Sequence, residues 1–522
     1  MNYDLLSADI QEYLIRLINQ HLSEMNIFCT YNVLWGLARM GASKSSLGPA
    51  LSSSVLDKTV GILHTFLPTH YGDVIWSLGS LGYRQDDLSP VMSDRVLAVL
   101  SRVYGKLHVR AAAYTLWGLS KMGFQWEDMQ GRTRSLAGGR EADPLSESVS
   151  KYLRQRVASM KEHEYSVLLY SLGGLRVQLQ GESESSLPDY VTEKIHHRAT
   201  RVSTFLTSRS LANSLYGLGK CGVSWMELPI ETRDAWENAM LSLPASLSPS
   251  SISNQKHGNN GDRKGLQGMR TVEFAQTLYG LGQLQVPWRN LLRSTREALT
   301  AEIQQHGRVD SMDLHGISTG LWGFAAMGCP LKEVPANLIL AARKRLWAPG
   351  SVAEISALEF DRSIINQALS TPQPQVDSST VVAAASDGKT NSAAINKDDY
   401  KLIERGEGSG RQHSSRRVVL TSLEECALSL TMGLEALAML KAHLSQEELR
   451  GVAGRLQILA PHMGPDSIVT CTRSLSQLGA LWTDLTTDTR VTWISRLKRS
   501  PGDLTAAKRQ GLAESLNTMG AF

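Results

Sequence analysis

The sequence predicts an all-α fold: an αα-hairpin repeat solenoid, wound as a superhelix, with a period of about 41 residues. Three observations predict it. First, one phrase recurs along the 522 residues: a hydrophobe, a bulky residue, glycine or serine, leucine, two small or polar residues, another hydrophobe, and usually glycine. Its bulky slot falls at Trp35, Trp76, Trp117, Tyr170, Tyr216, Tyr279 and Trp322, with weaker copies centred on Met432, Arg473 and Glu514. The first three slots are 41 residues apart, and so are the last three. Second, the phrases have helical spacing; around Tyr216, residues Leu211, Leu215 and Leu218 form one apolar stripe. Third, the closing glycines (Gly41, Gly82, Gly123, Gly222, Gly328, Gly479 and Gly520) stand where a helix ends in the left-handed conformation.

A second helix completes each unit. The stretches Trp225 to Met240 and Trp288 to Thr300 read as such helices, and Trp126 starts another. The residue after the bulky slot is glycine or serine in every copy. Mid-helix glycine costs about 1 kcal/mol against alanine, so its recurrence predicts the close approach of a neighbouring backbone, with the aromatic wedged into the next repeat.

Interruptions divide the chain. Residues 1–370 are expected to form an N-terminal array carrying a flexible insertion at 241–268, where Pro244, Pro249 and Asn259-Asn260-Gly261 fall. Residues 371–415, rich in Ser, Ala, Asp and Gly, read as disordered, and 416–522 as a C-terminal block. A degenerate repeat fits around Ile355 to Ala368. The last copy stops just after its own glycine, which predicts a truncated array or an end covered by another subunit.

Composition narrows the function classes. The formal charge is +4, a weak basic bias that permits nucleic acid binding. The five cysteines, at 29, 221, 329, 426 and 471, show no metal-ligand spacing and read as reduced, mostly packed thiols. No apolar run is long enough for a transmembrane span, and the residues from Met1 to Glu12 resemble neither a signal nor a transit peptide. His21 and His196-His197 lack ligand partners at metal-site spacing. Gly406-Glu407-Gly408-Ser409-Gly410 lacks the Lys-Ser/Thr of a phosphate loop. The expectation is therefore a chain that is not an enzyme, with no catalytic residue, no metal, no cofactor and no small-molecule substrate.

The repeat itself offers a place to bind. Positions three before and four after the slot share one helical face with the small residue. There stand Asn32, Asp73, Asn213 and Gln276 on one side, and Arg39, Lys121, Lys220, Gln283 and Gln477 on the other, with Arg473 in a slot. Asn and Gln pair with base edges, and Arg and Lys with phosphates, so these ten residues form a candidate RNA-binding row. The same residues equally suit plain solvation or polar contacts that lock neighbouring repeats. The clusters Arg293 with Arg296 and Arg343-Lys344-Arg345 read as solvated charged faces or as contacts to ribosomal or messenger RNA backbone.

The segments Leu211 to Gly222, Phe274 to Leu281 and Ala112 to Gly123 resemble the signature helix of octotricopeptide repeats, relatives of heptatricopeptide repeats and of the arrays that precede RAP domains. The resemblance covers residues 25–335 well and 420–522 loosely. It implies paired helices acting on organellar RNA in mitochondria, or alternatively plastids. Glycine stands at 36, 118, 217, 280 and 323 where that family usually has alanine, and a RAP segment is missing, so no cleavage activity is carried over. The resemblance implies a protein contacting ribosomal or other organellar RNA, in ribosome structure, assembly or transcript processing, beside neighbouring ribosomal or assembly proteins. Two alternatives stand beside it: a protein–protein scaffold without RNA, and a stand-alone sequence-specific factor for mRNA stability or translation.

Overall fold

In the computed structural model, glycines at fixed offsets let one helix of each repeat lie almost backbone to backbone on the next. The structure describes residues 3–131, 143–179, 186–241, 266, 269–304, 307–347, 423–499 and 504–521. The expected insertion at 241–268 is described only at Leu241 and Leu266, and the tract at 371–415 and the repeat around Ile355 to Ala368 lie outside the described residues.

The described residues form an αα-hairpin repeat solenoid. Helix α1 (Ala8–His21) precedes ten signature helices: α2 (Ile27–Met40), α4 (Tyr71–Ser80), α6 (Val109–Met122), α8 (Glu162–Gly174), α10 (Ser208–Lys220), α12 (Thr271–Gln283), α14 (Leu314–Ala326), α16 (Leu423–Met439), α18 (Pro465–Gln477) and α20 (Ala506–Thr518). Between them run the second helices α3 (Pro49–Gly61), α5 (Pro90–Tyr104), α7 (Leu145–Arg156), α9 (Asp189–Val202), α11 (Ile230–Leu241), α13 (Arg293–Gln304), α15 (Ala336–Trp347), α17 (Gln446–Leu459) and α19 (Thr487–Arg499). Each signature helix packs on the next signature helix, and each second helix on the next second helix, which gives two layers. Helix α14 packs directly on α16, and both belong to one unit of the chain.

All ten signature helices end in the same way. The seven closing glycines have positive φ, from 69° at Gly328 to 87° at Gly82 and Gly123. In the other three repeats Arg176, Gln285 and Lys441 take the same left-handed conformation. Each is followed by an N–H that donates back to the helix, as Ala42 does to the Leu37 carbonyl and Ala442 to that of Leu437.

This closure corrects one register. The eighth slot, expected at Met432, is Glu435: Lys441 then falls six residues after it, as Gly41 does after Trp35. Met432 and Glu435 lie three apart on one helical face, and Gly433 after Met432, where only Ala436 follows Glu435, drew the phrase to Met432.

The expected close approach is present. A Cβ built on Gly118, Gly217, Gly280 or Gly323 would lie 2.3–2.6 Å from the nearest backbone atom of the preceding signature helix. Three residues past the slot, Gly79, Gly173 and Gly219 in turn meet the following helix at 2.5–2.8 Å. Where serine replaces glycine, at Ser77, Ser171, Ser474 and Ser515, its hydroxyl donates to its own helix's carbonyl four residues back.

The second helices are shorter than the sequence suggested. Trp225 to Met240 divides into a 3₁₀ turn at Trp225–Glu227 and helix α11, because Pro229 breaks the ladder and starts the new helix. Trp288 to Thr300 divides similarly after Trp288–Asn290. There the buried Glu237 carboxylate accepts from Leu292 N–H at 2.8 Å and from Thr295 hydroxyl at 2.9 Å, drawing the start of α13 onto the preceding repeat. After Trp126 comes only a 3₁₀ turn, Glu127–Met129, within the described residues before α7.

A backbone clasp joins six of the nine junctions. The N–H nine residues past one slot donates to the carbonyl five past the next: Lys44 to Leu81, Trp126 to Leu175, Leu179 to Cys221, Trp225 to Leu284, Trp288 to Met327 and Trp482 to Met519, at 2.6–3.0 Å. Repeats two and three are joined by the Arg84 guanidinium on the Lys121 carbonyl instead, at 2.9 Å.

Arginines tie the second layer together. Arg198 donates to the Met160 carbonyl, Arg345 to Met312 and Asp310, Arg455 to Arg345, and Arg496 to Pro461 and Met463. Arg343 reaches the His443 carbonyl and Glu448. In the cluster Arg343-Lys344-Arg345, expected as a solvated face or an RNA contact, Arg343 and Arg345 are instead bonded between repeats.

Candidate binding layer along the signature helices

Slot aromatics, residues at their −3 and +4 flanks, and residues two turns upstream lie on one side of the signature helices, because seven residues return to the same helical face. The aromatics do not wedge singly into the next repeat. They form a ladder, with ring centroids 6.0 Å apart for Trp76–Trp117, 6.4 Å for Trp117–Tyr170, 5.2 Å for Tyr170–Tyr216, 5.7 Å for Tyr216–Tyr279 and 4.8 Å for Tyr279–Trp322. These rings are half-buried, and Trp35 before them is 40% exposed. Each ring gains its contact from the one beside it, at a geometry suited to offset or edge packing.

The ten predicted residues fall along this layer, but many serve the repeats themselves. Asn213 and Gln276 come together: the Gln276 amide donates to Asn213 Oδ1 at 3.2 Å across two repeats. Asp73 accepts from the Tyr31 hydroxyl at 3.2 Å. Arg473 pairs with Glu435 at 2.9 Å, and Glu435 also accepts from Trp322 Nε1 at 3.0 Å. Arg39 lies over the Trp35 ring, Lys121 over Trp117, and Lys220 over both Tyr216 and Tyr279. The Cβ atoms of Lys121, Lys220 and Gln283 sit against Gly79, Gly173 and Gly219, so this +4 position is also a packing position. Asn32 and Gln477 are exposed.

Electrostatics follow from this crowding. Burial, then the nearby Arg84, holds the Lys121 ammonium below its ordinary pKa. Burial pushes the Tyr279 phenol up to about 12, with the Glu435 carboxylate adding to it. Partial burial, followed by the Arg209 and Arg110 charges, holds His163 below the usual histidine value.

Sequence reasoning missed the row seven residues before the slot. It carries Arg110, His163 and Arg209 in repeats three to five. Arg110 and Arg209 are exposed, and Arg110 lies over the Tyr114 ring, whose hydroxyl is 3.3 Å from His163 Nε2. Extending the face by two turns upstream of the slot was the signal that could have found them.

Cys221, Cys329, Cys426 and Cys471 are buried and Cys29 is exposed, all five as free thiols. Burial pushes the Cys221, Cys329 and Cys471 thiols well up, Cys329 to about 12. His196 and His197 line an open cleft of about 710 Å³ with Asp189, Glu193, Glu227 and Glu231. Among the described residues, no group of three or more His, Cys, Asp or Glu is placed to hold a metal ion, and no helix is long and apolar enough to cross a membrane.

Comparison of the sequence with protein-family models finds no match, and comparison with curated proteins finds none.

Proposed function

We propose that this protein is a non-catalytic helical-repeat scaffold that holds protein partners along its signature layer. One observation carries the reading: several members of the polar row that would have to face RNA bases are engaged between repeats. Asn213 is held by Gln276, Asp73 by Tyr31, and Arg473 by Glu435. Opening those pairs to a ligand costs roughly 1 kcal/mol each before any gain. What the layer offers outward is a half-buried aromatic floor with cations at its edges, suited to burial under a folded partner.

A second reading keeps organellar RNA, ribosomal or messenger, as the ligand. It is favoured by the cations of repeats one to five, Arg39, Arg84, Arg110, Lys121, Arg209 and Lys220, which suit phosphates without base readout. The octotricopeptide resemblance supports a mitochondrial or plastid setting for either reading, with ribosomal or assembly proteins as partners.

Ultraviolet crosslinking of RNA together with amine-reactive crosslinking of proteins in cells, followed by a density gradient and by mass spectrometry of crosslinked residues, tests the proposal. Protein crosslinks on the signature layer with RNA at background support the scaffold. RNA enrichment that is lost in an Arg110→Glu, Arg209→Glu variant overturns it in favour of the second reading.

A further inference from the structure

The first repeat presents to solvent the surface that inner repeats bury. Gly36 occupies the position where Gly118, Gly217, Gly280 and Gly323 meet a preceding helix at 2.3–2.6 Å, yet nothing lies within 4 Å of its Cβ position. Helix α1 precedes this repeat and is tied at its C-terminal end to α3 of the second layer. Its inner face is anchored: Ile18 is buried, Leu14 and Ile15 pack against the core, and the Lys58 ammonium donates to the Ser23 carbonyl just beyond the helix. The apolar face of α1 is wider than this contact. Ile10, Tyr13 and Leu17 are spaced three and four apart, so they form one stripe on the flank beside Leu14, and they are 49%, 54% and 40% exposed. That flank is apolar surface the chain does not bury within itself.

The charges beside the stripe are arranged by sign along the helix. Asp9 and Glu12 are exposed in its first half, and Arg16 in its second. Asp9 and Arg16 lie seven residues apart on the same flank of the stripe. When two such helices cross antiparallel about a two-fold axis, each acidic half lies against the other's basic half, and the two helix dipoles oppose.

We propose that the N-terminal end of the array is a self-association surface, occupied by α1 of a second copy of this chain. The Ile10, Tyr13 and Leu17 stripes pack against each other, and the Asp9/Glu12 and Arg16 charges set the antiparallel direction. A 14-residue helix is about 21 Å long and supplies a small interface, so the pairing is a reversible, concentration-dependent dimer.

Sedimentation velocity of the full chain between about 1 and about 100 µM tests this directly. The unmodified chain is expected to shift from monomer to dimer. Arg16→Glu alone and the Asp9→Lys, Glu12→Lys pair alone each place like charges across the axis and are expected to weaken association about ten-fold or more. An equimolar mixture of the two variants matches the charges again and is expected to dimerise like the unmodified chain. Unchanged circular dichroism in each variant separates lost association from lost folding, and recovery on mixing does so independently. A chain that stays monomeric throughout overturns the proposal and leaves the stripe to a different protein. Dimers that survive both charge reversals, or a mixture that fails to recover, place self-association elsewhere and overturn it equally.

Discussion

Trp117 and Glu435 occupy the same position of the repeat and are held in opposite ways. Trp117 sits in a run of aromatics between Trp76 and Trp322, beside glycines that bring adjoining backbones to van der Waals contact. In the block from Leu423 onward the slots are Glu435, Arg473 and Glu514, and the position after each is Ala436, Ser474 or Ser515. There the layer is linked by charge: Arg473 to Glu435, and Lys508 to Asp466 at 2.8 Å. The backbone closure at the helix end is the same in both regions. What differs is how near the helices come, and therefore which forces join them. Dispersion and ring contacts need the glycines, whereas ion pairs tolerate a wider gap.

The largest expected effect separates the two regions by size. Gly217→Ala should raise intrinsic helix stability by about 1 kcal/mol, yet its methyl would meet the Leu169 carbonyl carbon at 2.3 Å. A net loss of roughly 2–3 kcal/mol is expected in urea denaturation. Ser474→Ala, one position past the Arg473 slot, should change stability by less than about 0.5 kcal/mol. A more stable Gly217→Ala protein would remove the close-approach explanation for the middle repeats.

Glu435→Gln probes the charged side of the comparison. It weakens both the Arg473 pair and the Trp322 N–H contact, for a loss of about 1 kcal/mol. Because the Arg473 pair is partly exposed, the gap from the unmodified chain should narrow in about 1 M salt. A gap independent of salt would mean that the site is held by packing.

A double-mutant cycle of Asn213→Ala and Gln276→Ala comes next. Coupling of roughly 0.5–1 kcal/mol in stability is expected if their hydrogen bond joins the repeats. Zero coupling would free both side chains for a ligand and weaken the scaffold reading. The smallest effect is a gain. Arg176→Gly and Lys441→Gly relieve left-handed φ values of 58° and 55°, one in each region, and each should stabilise by about 0.5 kcal/mol in thermal melts. A loss at either position would show that the native side chain contributes more than its backbone costs.

The period and the hairpin were legible because glycine and leucine recur at fixed offsets, and both residue types act through local backbone and burial. The register of the eighth repeat was not, since Lys441 closes that helix where most repeats use glycine, and lysine carries no signal of a left-handed turn. The clasps joining successive repeats were equally silent, being bonds between backbone atoms. For the candidate site, the sequence located the face and the alternation of polar and small residues. It could not reveal that Gln276 reaches Asn213, because an insertion of unusual length stands between their repeats. Nor could it reveal that Lys220 lies over two rings from different repeats, which depends on how closely those repeats stack.

The clasps also set the mechanics of the array. Four consecutive junctions, from the third repeat to the seventh, carry one each, and the next lies between the ninth and tenth. Five repeats thus make a stiff beam, while the joint between α16 and α18, where the described residues show no clasp and the helices pack less extensively, acts as a softer spring. Pulled from its ends, the chain should yield first between α16 and α18 and keep the beam intact. An assembly gripping both regions would then have one element that holds distance and another that absorbs strain.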